Sequence, residues 1–349
     1  MKNTIRQNTS LFLLALCIGV AKAESLDGPR GGDGDSKRTA ASAVADPREA
    51  YSTNGWNLVW NDEFDGDDPF DHLANWVQEE GFVRSKEPQF YTTNRVENLR
   101  VEDGCLVFTV RKEPWTNPDF GKPSHYSFRR DTREAAYTSA SVESRRSFLY
   151  GRIEFRAQMP NGQGAWPALW FLGETWRKPR DDSGYLRWPL CGEIDLVEIW
   201  GHDPELVQTS CHTARRGPEP GEADYSPRNF RFVVGGEQFH DCGPGEEPWN
   251  GFHTYTLDWY EDRLFMFYDG ILYGKVDLSQ ADRPEGRNSF REPMFALMNI
   301  ALGGGPAKRN YVFDEDTVLD DGTTIPAATF PMVMKVDWVR HYRQGRREQ

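Results

Sequence analysis

The sequence predicts an all-β domain built as an antiparallel β-sandwich. Three observations carry that prediction. Apolar and polar residues alternate with a period of two in run after run, the pattern of a half-buried strand. The runs are separated by short turns, and 32 glycines and 22 prolines are too many for a helical bundle. Convincing helical periodicity is absent, while 21 Phe, 13 Tyr and 12 Trp supply the bulk of a sizeable core.

Taken in chain order, the first element is a targeting segment. Lys2 and Arg6 precede the apolar run Leu11 to Val20, and Ala21-Lys22-Ala23 forms a small-residue cleavage site. The run is too short to span a bilayer. It reads as a secretory signal at 1–23, cleaved near Ala23, so the mature protein is expected to be extracellular or periplasmic, with no membrane insertion. Lipidation at Cys17 is the lesser reading, because Leu16 is large where that processing prefers a small residue. Residues 24–54, rich in Gly, Asp, Ser and Ala, read as a flexible leader. Cleavage leaves Cys105, Cys191, Cys211 and Cys242, which an exported protein could pair, though spacing leaves the pairing open.

Residues 55–345 read as one domain without a fixed repeat. Asn57 to Trp60 alternates. Leu99 to Glu102, Asp103-Gly104 and Leu106 to Val110 form a hairpin signal, with glycine supplying the positive φ that such a turn needs. Tyr150 to Arg156 alternates apolar and charged residues. His253 to Trp259, Leu264 to Tyr268 and Ile271 to Tyr273 predict a three-stranded meander, and Met332 to Val339 closes the domain. Residues 114–134 and 304–330 lack a strong strand pattern and read as long loops.

Charge excludes some partners. Forty-one basic against 54 acidic residues give a formal charge of −13, which disfavours a nucleic acid. Low mean hydropathy excludes a polytopic membrane protein. A monomer is expected.

The most informative stretch is Gly192-Glu193-Ile194-Asp195-Leu196-Val197-Glu198-Ile199-Trp200, three carboxylates inside an apolar strand. Residues two apart share a strand face, so Glu193 and Asp195 point the same way. Glu198 lies five positions from Glu193 and would face away, unless a β-bulge near Leu196-Val197 restores it. Crowded like charges raise one member's pKa, giving a carboxylate beside a carboxylic acid. Glycoside hydrolysis uses that pair. Trp166 and Trp170 lie four apart in one strand, and Trp188 lies five residues before Glu193. A lone Trp is more often core, but three beside a carboxylate cluster suit a sugar cleft.

These residues resemble glycoside hydrolase family 16. Glu193-Ile194-Asp195-Leu196-Val197-Glu198 is similar to its bulged E-x-D-x-x-E signature, and Trp188-Pro189-Leu190-Cys191-Gly192-Glu193 to the laminarinase branch. Trp60 to Phe64, Tyr137 to Ala140, Tyr150 to Glu154, Trp166 to Trp170, Phe252 to Tyr255, Asn299 to Gly304 and Val336 to Arg340 follow in the family's order. The resemblance implies a concanavalin A-like jelly roll with an open cleft on its concave face. It implies a retaining endo-β-1,3-glucanase of laminarin-type glucans, with no cofactor for catalysis. Glu193 would be the nucleophile, Glu198 the acid–base, and Asp195 the group that tunes them. Trp166, Trp170 and Trp188 would line sugar subsites. Glu87 and Gln89 would bond sugar hydroxyls, although Lys86 replaces the branch's usual Asn. His212 and Asn299 are further binding candidates, each as readily a structural group. A structural calcium would be held by Glu63, the Gly104 carbonyl and Asp337.

Three alternatives stay open. Arg84, Arg129, Arg130 and Arg187 leave room for a marine galactan such as agar, porphyran or carrageenan. A non-catalytic β-glucan-binding protein is opposed by the presence of all three acids. Transglycosylation would use the same covalent intermediate.

Overall fold

The computed structural model describes residues 55–84, 87–121, 132–201, 203–214, 227–234, 247–283, 286–303, 315–318, 322 and 324–345. The proposed signal, Cys17, the leader, Lys86, Arg129, Arg130 and Cys242 lie outside them. Among the described residues, no helix is long and apolar enough to cross a membrane.

Two large sheets face each other across one core. The larger contains β1 (Trp56–Asp62), β3 (Gln89–Tyr91), β4 (Leu99–Glu102), β5 (Cys105–Thr116), β6 (Glu134–Ser139), β8 (Gly151–Gln158), β13 (His253–Trp259), β14 (Arg263–Tyr268), β15 (Ile271–Asp277) and β19 (Met332–Gln344). Its order is β15-β14-β13-β8-β19-β5-β6-β3, with β1 added to β19 and β4 to β5. The second contains β2 (Trp76–Gln78), β7 (Ser141–Phe148), β9 (Ala165–Gly173), β10 (Glu193–Trp200), β11 (Asp203–Ala214), β12 (Pro227–Val234) and β16 (Met294–Leu302), in the order β12-β11-β10-β9-β16-β7-β2. The two-residue strands β17 (Thr317–Val318) and β18 (Thr324–Ile325) pair by themselves. This is the antiparallel sandwich that the alternation predicts, apart from one parallel pair between β3 and β6.

The predicted turns form for the expected reason. Asp103 and Gly104 have φ of 52° and 71°, and Asp269 and Gly270 have 46° and 82°. Both pairs need left-handed backbone, which Asp tolerates and Gly adopts freely. The core draws on inner faces of both sheets, including Phe108, Ile153, Phe155 and Met334 from one and Leu169, Phe171, Ile194 and Ile300 from the other.

One expectation is corrected. β5 runs on to Thr116 and pairs with Glu134 at the start of β6, so the stretch expected to loop from 114 to 134 begins and ends as strand. The local pattern hides this, because Trp115 packs sideways. It lies 6.0 Å from the Phe90 ring and 5.1 Å from the Arg95 guanidinium.

Candidate active site

The site grows from β10. Its core-facing residues are Ile194, Leu196, Val197 and Ile199, so two successive residues, Leu196 and Val197, both enter the core. Two neighbours in one core require an irregular strand, and the register slips there on both sides. Against β9 it shifts between Asp195 and Val197, and against β11 between Asp195 and Glu198. The bulge predicted from spacing is therefore present. Glu193, Asp195 and Glu198 all line one cleft on the outer face of the second sheet. A bulge leaves a carbonyl off the ladder. The Leu196 carbonyl accepts from the Tyr273 hydroxyl of β15, which reaches it from the other sheet. Thr209 Oγ1 on β11 donates to the Asp195 carbonyl at 2.6 Å.

Side chains of β11 tie the acids together. Ser210 Oγ donates to Asp195 Oδ2 at 2.5 Å and lies 3.4 Å from Glu198 Oε2. His212 Nε2 lies 3.0 Å from Ser210 Oγ, 3.2 Å from Asp195 Oδ2 and 3.8 Å from Glu193 Oε1. The ligand atoms of Glu193, Asp195 and His212 fall within 4.8 Å of one another. Burial, then the Asp195 charge, pushes Glu193 up to about 8, against the pull of His212. The same two causes push Glu198 up to about 7, and the indole N–H of Trp166 opposes them. With such coupling the two carboxyls titrate as a pair that holds a proton near neutrality.

The three tryptophans differ. Trp166 Nε1 donates to Glu198 Oε1 at 2.9 Å, so it bonds a catalytic candidate as well as lining the cleft. Trp188 is 44% exposed, and its ring centroid lies 5.9 Å from that of His212. Trp170 is 7% exposed, and its Nε1 donates to Asn299 Oδ1 at 2.8 Å. The Arg84 guanidinium lies over its ring, 5.0 Å from the centroid. Trp170 lines the cleft, and one face of its ring is met by Arg84.

A hydrogen-bonded chain runs under this end of the cleft. Asn299 Nδ2 donates to the Tyr91 hydroxyl at 3.1 Å, which donates to Glu87 Oε2 at 3.2 Å. Gln89 Nε2 also donates to Glu87 Oε2, at 2.6 Å, while Gln89 Oε1 accepts from the Leu302 amide. Glu87 and Asn299 line the cleft, whereas Gln89 is 1% exposed and lies beneath, spent on holding Glu87. Burial raises Glu87 to about 7. Tyr91, Ser210 and Tyr273 are the hydrogen-bonding partners of the site that sequence reasoning misses. Each is an ordinary polar residue in a strand, and only strand pairing reveals its partner.

The expected calcium ligands do not fit an ion as they stand. Arg340 Nε and Nη2 donate to Glu63 Oε1 and Oε2 at 3.0 and 2.8 Å, and Asn61 Nδ2 donates to Oε1 at 2.8 Å. Asp337 pairs with Arg156. Both carboxylates are met by a guanidinium, which takes up the oxygens an ion would need. Cys105, Cys191 and Cys211 are buried free thiols.

Known proteins share this architecture. The glucan endo-1,3-beta-glucosidase A1 of Niallia circulans is 30% identical over 90% of this chain, which spans 41% of that protein's length. The beta-glucanase of Rhodothermus marinus is 31% identical over 82% of this chain and 85% of its own length. A solved structure, from work on endo-acting O-glycanases with which human gut microbiota initiate mucin breakdown, superposes with a TM-score of 0.65. It is 30% identical and covers 83% of this chain and 91% of its own. Residues 86–340 match the model of glycosyl hydrolases family 16. With the bulged triad and the two-sheet sandwich already in hand, that match identifies the chain as a glycoside hydrolase of family 16.

Proposed function

We propose that this enzyme cleaves internal β-1,3-glucosidic bonds of laminarin-type glucans with retention of configuration. The observation that carries the reading is the β10 bulge, which gathers Glu193, Asp195 and Glu198 on one cleft face with Trp166 bonded to Glu198. Burial raises Glu193 further than Glu198 in the free site, but the reactive form of the pair is the one with its shared proton on Glu198: in the first step the Glu193 carboxylate attacks the anomeric carbon while the Glu198 carboxylic acid gives that proton to the departing glycosidic oxygen. In the second, Glu198 as carboxylate takes a proton from water, which displaces Glu193. Asp195, hydrogen-bonded by Ser210 and facing His212, repels negative charge on both neighbours and so favours one shared proton. Export through the segment ending at Ala23 places the enzyme where polysaccharide is met.

The names of the Niallia and Rhodothermus relatives support a β-glucan. A second reading, a mucin O-glycan, is favoured by the likeness to the O-glycanase structure. Incubation with laminarin, mixed-linkage glucan, agarose, porphyran, carrageenan and mucin O-glycans separates them. The expected result is laminarin oligosaccharides whose first-formed reducing ends are β by proton NMR. Initial α products would exclude double displacement. Cleavage of a mucin O-glycan or a galactan with laminarin untouched would keep the mechanism and replace the substrate.

A further inference from the structure

Beyond the catalytic triad, the described residues that line the cleft include a cation, Arg84. Arg84 lines the same cavity as Glu193 and Trp170. Its guanidinium carbon stands 5.0 Å from the Trp170 ring centroid and 5.7 Å from that of Tyr91. Glu79 grips it with both carboxylate oxygens, Nη1 donating to Oε1 at 2.9 Å and Nη2 to Oε2, while Nη2 also donates to Ser141 Oγ at 3.0 Å. Such a two-point grip fixes the plane of the fork. The Arg84 side chain is 21% exposed, and the residue lines the cleft.

Two consequences follow from this geometry. An indole offers a sugar a flat apolar face, but only where the face is free, and here guanidinium lies on it. An arginine has five N–H donors, and the bonds to Glu79 and Ser141 use three, leaving Nε–H and one Nη1–H for another acceptor. The charge of Arg84 is already met by Glu79, and Glu87, Glu193, Asp195 and Glu198 line the same cavity. That acidic lining opposes an anionic sugar and leaves hydroxyl groups as the acceptors.

We propose that Arg84 is a specificity-determining residue, a hydrogen-bonding wall laid over Trp170 that reads the hydroxyls of a neutral hexose instead of stacking on its ring. The subsite beside Trp170 therefore selects by hydroxyl orientation, and the wall limits how far the glycan chain extends along that side. This rests on the reading that the cleft binds a polysaccharide, but not on which one.

The test compares wild type with Arg84→Ala/Glu79→Gln, which removes both charges together and strands neither, and with Arg84→Lys, which keeps the charge and loses the planar fork. kcat and KM are measured separately on laminarin and on whichever polysaccharide of the panel above wild type cuts best. Product lengths are read by chromatography. The double variant is expected to raise KM roughly tenfold or more, the scale of a lost charge-assisted hydrogen bond, with kcat within about threefold and a shifted product-length pattern. Arg84→Lys is expected to fall between, and raised ionic strength to leave the wild-type KM unchanged. Unchanged KM and product lengths in a folded double variant would overturn the proposal. If that variant fails to fold, an unchanged KM in Arg84→Lys overturns it. A wild-type KM that climbs steeply with salt would overturn the neutral-sugar assignment. Wild type inert to laminarin but active on a galactan sinks only the glucan reading, and Arg84 is then judged by the same ratios on the galactan. If wild type neither binds nor cuts any of the panel, both fall.

Discussion

At the scale of single residues, chemistry is divided among groups that look alike in sequence. Glu193→Gln is expected to nearly abolish turnover on the best polysaccharide, because an amide cannot form the glycosyl ester. Full activity in that variant would remove Glu193 as nucleophile. Glu198→Gln is expected to slow poor leaving groups by roughly 10²–10⁴-fold and activated aryl glycosides far less. Since burial lifts Glu193 to about 8 and Glu198 to about 7, the wild-type rate should fall as pH rises and the pair loses its shared proton. This basic limb should vanish in Glu198→Gln assayed on an activated glycoside. The tryptophans separate in the same way. Trp188 is 44% exposed, so Trp188→Ala is expected to weaken oligosaccharide affinity with stability kept within about 0.5 kcal/mol. Trp170 sits among Ala168, Leu172, Phe295 and Leu297, and Trp170→Ala should cost about 3–5 kcal/mol by thermal or denaturant melting. A melting profile unchanged by Trp170→Ala would contradict its packing role.

At the scale of elements, the bulge in β10 is the device that makes the site. It puts Leu196 and Val197 together in the core, brings Glu198 back to the face of Glu193, and hands a freed carbonyl to Tyr273. Tyr273→Phe leaves that carbonyl unpaired between the sheets, which should cost about 1–3 kcal/mol. The same variant should lower kcat more than it raises KM, because the bulge positions the acids and not the distal sugar. Equal stability and equal kcat would show that the bulge holds without it. The spacing E-x-D-x-x-E makes the irregularity legible, since a regular strand would turn Glu198 inward among Ile and Val. What spacing cannot show is the strand opposite. Ser210 and His212 reach the acids because β11 pairs Asp195 with Ser210 and Glu193 with His212.

At the scale of the whole molecule, packing sets the response to pH. Glu87, Glu154, Glu193 and Glu198 are all raised above the ordinary carboxylate value, first of all by burial. Glu154 lies outside the cleft in β8, 2% exposed, and reaches about 7. A carboxyl whose folded pKa exceeds its unfolded one favours the native state below the unfolded value. That contribution is lost as pH rises through the folded value. Thermal stability is therefore expected to decline from about pH 4.5 towards pH 8, and Glu154→Gln to flatten part of the slope. Melting temperatures rising steadily across that window would contradict the burial of these acids.

The sequence by itself determined the sandwich, its hairpins and the candidate catalytic acids. Period-two alternation, left-handed Asp-Gly turns and carboxylates in an apolar strand are local facts, each enforced by backbone sterics or by the cost of burying charge. Only the tertiary structure decided how those residues are employed. It covered Trp170 with Arg84, turned Gln89 inward to hold Glu87, gave Trp166 a bond to Glu198, and met Glu63 and Asp337 with arginines. Apart from Gln89 and Glu87, which stand two residues apart, the partner comes from a distant strand or loop. Pairing register and long side chains reaching across a sheet face settle such contacts, and no neighbour in the chain carries that information.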